Sequence, residues 1–125
     1  MRLWNREELV AGDLGLRTRV GALPVEYIVE TTAKCNLYCP MCPRATHKQP
    51  KEDMSDSVYT RLVAADGESA EHMMLIALGE PLLYPIIFQR IEFCDQHMLS
   101  TLLSTNGTLL DPPSTESLLD TKLEH

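Results

Sequence analysis

Cys35, Cys39 and Cys42 fall in the run Thr31-Thr32-Ala33-Lys34-Cys35-Asn36-Leu37-Tyr38-Cys39-Pro40-Met41-Cys42-Pro43-Arg44, three thiolates in one short loop directly after a strand-like segment. Soft thiolates select iron-sulfur clusters. A cubane cluster has four irons and is usually held by four cysteines, so a site offering three leaves one iron open to an outside ligand. Two further motifs form unusual loops later in the chain. Gly79-Glu80-Pro81 joins a residue that lets backbone come close to a carboxylate able to accept a charge-assisted hydrogen bond. Ser104-Thr105-Asn106-Gly107 offers short polar side chains, which are equally ordinary turn formers.

The elements that must position these residues alternate strand and helix. Val25-Glu26-Tyr27-Ile28-Val29-Glu30-Thr31 is rich in branched and aromatic residues and reads as a strand that delivers the chain into the cysteine loop. A helix is expected from Ser55 as cap, with Val58, Tyr59, Leu62 and Val63 as its apolar stripe and Gly67 as its stop. Met73-Met74-Leu75-Ile76-Ala77-Leu78 is a continuous apolar run of strand length, the pattern of a parallel strand covered on both faces. A second helix is expected near Pro85, carrying Ile87, Ile91, Cys94 and Met98 along one side. Leu99-Ser100-Thr101-Leu102-Leu103-Ser104 is the third strand, and Asp111-Pro112 opens a third helix containing Leu118 and Leu119. Repeated strand-loop-helix units imply an α/β fold with a parallel sheet or barrel, in which working residues sit at the carboxyl ends of the strands. All three unusual loops follow strands, so one edge of the sheet should gather them.

In these motifs the chain closely resembles the radical S-adenosylmethionine (radical SAM) enzymes. Their cysteine signature, three residues between the first two cysteines and two between the last pair, is matched by Cys35, Cys39 and Cys42. Gly79-Glu80-Pro81-Leu82-Leu83 resembles the family's Gly-Glu motif after the second strand, and Ser104-Thr105-Asn106-Gly107 resembles the end of its third. The Asn-Leu after Cys35 and the Pro-Met-Cys-Pro-Arg ending look like the SPASM-associated branch, which includes peptide- and cofactor-maturing members. Many of those carry an additional cysteine-rich C-terminal domain.

The resemblance implies a [4Fe-4S] cluster on the three cysteines, with S-adenosylmethionine (SAM) bound at the open iron and split by one electron into a 5'-deoxyadenosyl radical. That radical abstracts hydrogen from a substrate, a peptide or a small molecule. The resemblance also implies an external electron donor such as flavodoxin or ferredoxin. Gly79, Glu80 and Pro81 become cofactor contacts, with Glu80 facing the ammonium of the methionyl part. Met41 stands where the family often has an aromatic residue near the adenine, and a polarizable thioether can still pack against a ring. Leu78 replaces the glycine that often precedes Gly79. Ser104 and Asn106 are expected near the nucleoside or substrate.

Other readings of the residues remain open at this point. Cys35, Cys39, Cys42 and His47 form a recognised three-cysteine, one-histidine zinc set, which would make the chain a non-catalytic binding module. Cys94 as a fourth cluster ligand would give a closed electron carrier, but its place on the apolar stripe points to a core thiol. His72 and His97 flank expected elements and read as boundary residues, and Tyr38 either shields the cluster or fills space. Arg44, His47, Lys48 and Lys51 read as a solvated basic loop.

Composition narrows the class. The chain has 125 residues, 44% hydrophobic and 23% charged, as expected for one ordinary domain. A formal net charge of -7 argues against a nucleic-acid partner. No apolar stretch is long enough to span a bilayer and the first residues are charged too early for a signal peptide, so no membrane partner is expected. Crowded cysteines without an export signal point to metal binding in the reducing cytoplasm. The expected division is a lead-in segment over 1-24 and a partial radical SAM core over 25-125. An eight-unit barrel needs roughly 250 residues, so this length fits the first three strand-helix units of the family's partial (β/α)6 TIM-like barrel. The expectation is a truncated protein whose fourth strand is due at Thr121-Lys122-Leu123-Glu124-His125, where Leu-Glu-His is either native or the stub of a tag.

Overall fold

Three short strands, Glu-Tyr-Ile, His-Met-Met-Leu and Ser-Thr-Leu-Leu in sequence, form the sheet, and helices cover one face of it. The computed structural model describes every residue except Met1, Leu16, Arg17, Val20, His47, Gln49, Gly67, Glu68, Lys122, Glu124 and His125. The expected stop at Gly67, the alternative ligand His47 and the terminal Glu124-His125 therefore lie outside the described residues. Strands β1 (Glu26–Ile28), β2 (His72–Leu75) and β3 (Ser100–Leu103) form a parallel sheet in the order β1-β2-β3. Tyr27 pairs with Met73, which pairs with Thr101; Ile28 pairs with Met74, which pairs with Leu102. The helices are α1 (Arg2–Leu14), α2 (Asp56–Asp66), α3 (Ile87–Gln96) and α4 (Pro112–Leu119). Among the described residues, no helix is long and apolar enough to cross a membrane.

The core forms where α2 and α3 meet one face of the sheet. Tyr59 and Val63 of α2, Ile87, Ile91 and Cys94 of α3, and Met73 and Leu75 of β2 are all buried. Cys94 sits in this core as expected, with its sulfur 2.9 Å from the Tyr59 hydroxyl. Burial pushes its thiol pKa up, against the opposing pull of hydrogen bonds to Tyr59 and Thr101. The caps follow the sequence signals: the Ser55 hydroxyl accepts from Val58 N–H, and Asp111 Oδ1 accepts from Ser114 N–H at 2.8 Å ahead of Pro112.

Several expectations need correction. All three strands are shorter than the segments expected for them, and β2 is not covered on both faces: its burial alternates, and only Met73 and Leu75 are fully covered. The opposite face is open, with Ile28 68% exposed. Val58 points to solvent and does not join the α2 stripe. Pro85 lies in the turn ahead of α3, which is entered from Ile86. Met98 does not extend the α3 stripe: it takes φ +58° and is 76% exposed. The cause is the helix stop, in which Leu99 N–H bonds to Cys94 O and turns Leu99 inward, leaving Met98 in the left-handed position.

Helix α1 was not expected, since its inward face is polar. Asn5 is buried and exchanges two hydrogen bonds with Leu23, while Trp4, Val10 and Leu14 face outward. An ion pair from Arg6 to Glu71 ties α1 to the entry of β2. Beyond α4, an isolated parallel bridge sets Leu123 beside Thr101 of β3, within the segment where a fourth strand was expected.

Candidate functional site

The three loops do meet at the carboxyl ends of the strands, and the contacts that join them are specific. The cysteine loop is closed at its base by the segment that returns from it. Met54 N–H bonds to Thr31 O at 2.8 Å, Ala33 N–H bonds to Glu52 O at 2.9 Å, and Thr32 pairs antiparallel with Asp53. The Asp53 carboxylate accepts from the Thr32 hydroxyl at 2.6 Å and from Lys34 Nζ at 2.7 Å. These bonds, from Lys34 first and Thr32 second, hold its pKa below the usual carboxylate value.

Inside the loop, Cys42 N–H bonds to Cys39 O at 3.0 Å, a turn that precedes the single 3-10 turn over Pro43–Ala45. Arg44 is buried, which corrects its reading as a solvated basic residue. Its guanidinium donates to Cys35 O at 3.3 Å and to Leu37 O at 2.8 Å, and lies 5.2 Å from the centre of the Tyr38 ring. Lys48 and Lys51 are exposed as expected, and Lys51 Nζ reaches the Tyr38 hydroxyl at 3.3 Å. Tyr38 therefore packs outward between two cations and is mostly exposed.

Gly79 lets backbone come close, but the neighbour is the chain itself. A Cβ there would lie 1.7 Å from Thr32 O and 3.1 Å from Lys34 O, so the second loop presses directly on the end of the first. Glu80 N–H then bonds to Lys34 O at 2.7 Å. The Glu80 side chain is 2% exposed. Its Oε1 accepts from Leu82 N–H at 3.1 Å and the Thr105 hydroxyl at 2.6 Å, and its Oε2 accepts from Asn106 N–H at 2.7 Å. Glu80 thus caps the 3-10 turn over Pro81–Leu83, which begins with buried Pro81, and it clamps the third loop to the second. Asn106 completes the circuit by donating to Asn36 Oδ1 at 2.9 Å and approaching Cys35 Sγ at 3.8 Å.

The expected site residues are therefore gathered unevenly. Cys35, Gly79, Glu80, Pro81 and Asn106 are linked through these contacts. Met41 is 85% exposed on the cysteine loop, and Ser104 is exposed at the end of β3. His97 bonds through Nδ1 to Phe93 O at 2.8 Å and belongs to the end of α3. Thr105, Asn36 and Arg44 hold the site together without having been expected to. Asn36 and Thr105 stood inside motifs already noted and Arg44 directly after the cysteines, but the contacts each makes are tertiary effects.

Among the described residues, no three His, Cys, Asp or Glu side chains stand together as a metal site. The chemistry of the donor set still fits a cluster: three unbridged thiols lie on one loop, Cys39 exposed and Cys35 and Cys42 half-buried.

Comparison with known proteins gives the family and the fold. Residues 29–125 match the radical SAM superfamily. The AdoMet-dependent heme synthase of Methanosarcina barkeri is 31% identical over 90 residues, 71% of this chain and 26% of its own length. The PqqA peptide cyclase of Gluconobacter oxydans is 26% identical over 103 residues, 82% of this chain and 29% of its own length. The chain thus spans 24–30% of the length of the curated relatives it matches. Among solved structures, BtrN in complex with AdoMet and 2-DOIA aligns at a TM-score of 0.72 with 22% identity, covering 81% of this chain and 43% of that one. Streptococcus suis SuiB bound to precursor peptide SuiA aligns at 0.64 with 19% identity, covering 94% of this chain and 26% of that one. With its cysteine signature, its parallel strand-helix units and a match over nearly all residues after β1, the chain belongs to the radical SAM superfamily.

Proposed function

We propose that this chain is a catalytic part of a radical SAM enzyme, in which Cys35, Cys39 and Cys42 hold a [4Fe-4S] cluster and the neighbouring loops bind SAM. The observation that carries this reading is the joining of all three loops by Glu80 and Asn106, which sets the cysteine loop beside the ends of β2 and β3. When bound, cluster and SAM supply a 5'-deoxyadenosyl radical for hydrogen abstraction. The protein's own part is to position and to shield. Gly79 allows the first two loops to pack without a gap, and Glu80 holds the third against them. Met41, exposed on the loop, is free to pack against the adenine, and Ser104 is available to the nucleoside. With both its oxygens already accepting, Glu80 serves SAM chiefly by fixing the backbone of its own loop and of Asn106.

On this reading residues 25–125 form the first three strand-helix units of a partial (β/α)6 barrel, with residues 1–24 as a lead-in. The strand order β1-β2-β3 and the parallel bridge from Thr101 to Leu123 support it. A peptide cyclase and a structure bound to a precursor peptide among the relatives support a peptide substrate, and a heme synthase supports cofactor maturation. An external donor such as flavodoxin or ferredoxin would deliver the electron. Anaerobic reconstitution tests the proposal. The expected result is uptake of iron and sulfide, an electron-resonance signal that changes on adding SAM, and loss of uptake when any one of the three cysteines is replaced by Ala. Zinc held in place of iron, with no response to SAM, would refute it.

A further inference from the structure

The side-chain amide of Asn106 is held in one orientation by its neighbours. Its Oδ1 accepts from Thr108 N–H at 3.0 Å and from the Thr108 hydroxyl at 2.7 Å. Its Nδ2 must therefore face away from Thr108, and there it meets Asn36 Oδ1 at 2.9 Å and Cys35 Sγ at 3.8 Å. Two amide hydrogens have one acceptor each. Asn36 is pinned in turn, donating its Nδ2 to Thr108 Oγ1 at 2.7 Å, so Asn36, Thr108 and Asn106 form a closed ring of hydrogen bonds. The backbone of Asn106 is anchored by its N–H to Glu80 Oε2.

Cys35 is consequently unlike its two partners. Its sulfur faces Asn106 Nδ2 and also Leu37 N–H at 3.5 Å, whereas among the described residues the sulfurs of Cys39 and Cys42 have no such donor. Hydrogen bonds to the ligand sulfurs are one of the factors that set an iron-sulfur potential, because they stabilise the more negative, reduced cluster. Resting on the cluster reading above, we infer that Asn106 is a positioning residue that raises the reduction potential of the cluster through the Cys35 sulfur. The ring with Asn36 and Thr108 and the anchor to Glu80 exist on this account to aim one N–H.

The test is a redox titration of the reconstituted full chain, followed by electron resonance and made without SAM so that altered SAM contacts play no part. Two variants are compared with wild type at matched iron and sulfide content. Asn106→Ala removes the donor; Asn106→Asp keeps the acceptor for Thr108 and turns a negative oxygen toward the thiolate. Each is expected to lower the ratio of reduced to oxidised cluster at a fixed potential by about tenfold, which is about 59 mV for a one-electron couple, with the larger effect from Asp. Wild-type protein that takes up no cluster overturns the functional reading and this inference with it. Loaded variants at the wild-type potential overturn the inference alone, as does a loaded Asn106→Asp at the wild-type potential when Asn106→Ala fails to load.

Discussion

At the scale of single residues, Glu80 carries the most structure. A carboxylate buried this far is sustained by the donors around it, and here Leu82 N–H, the Thr105 hydroxyl and Asn106 N–H all point at it. Glu80→Ala should therefore cost about 3 kcal/mol or more, since three donors lose a charged acceptor in a site closed to water. Urea denaturation measures this, and a loss below about 1 kcal/mol would mean that the loops are joined by other contacts. The sequence showed that a carboxylate stood in the right loop. It could not show where the carboxylate turns, because Thr105 and Asn106 lie 25 and 26 positions further on. Gly79 teaches the same lesson: glycine signals close approach, but the approaching group, Thr32 O, is visible only in three dimensions.

At the scale of elements, the strand-helix rhythm, the Ser55 and Asp111 caps and the buried place of Cys94 were legible because each rests on local spacing. Helix α1 was not, since an inward face built on Asn5 leaves no apolar stripe to read. The exposure of Val58 and Met98 was hidden too, because periodicity does not reveal where packing against a sheet ends. Nor did composition announce that residues 52–54 return to close the cysteine loop against residues 31–33. That closure has a pH signature through Asp53. Its pKa in the folded protein is lowered, so its contribution is fully present above the unfolded value near 4 and is lost as pH falls through the folded value. Melting temperatures of wild type and Asp53→Asn should accordingly differ at pH 6 and converge as pH falls below the usual carboxylate range. A difference that persists unchanged into acid would show that the carboxylate charge is not what holds the loop base.

At the scale of the whole molecule, the helices cover one face of the sheet and leave the other with a paired row of Ile28, Met74 and Leu102. Ile28 is the most open of the three and belongs to an edge strand. A solvatochromic dye such as ANS should bind this face, and Ile28→Lys should lower its fluorescence by about half or more while leaving the melting temperature within a few degrees, as for a surface change. Unchanged dye binding would place the exposed apolar surface elsewhere, on the outer side of α1.

The contact between Cys35 and Asn106 spans 71 positions of sequence. A ribosome adds roughly 5–20 residues per second, so the thiols precede their amide partner by roughly 4–14 seconds. During that interval Cys35, Cys39 and Cys42 are already made while the loops that surround them are not. The length of this window is set by where Asn106 stands along the chain, however quickly the chain then folds.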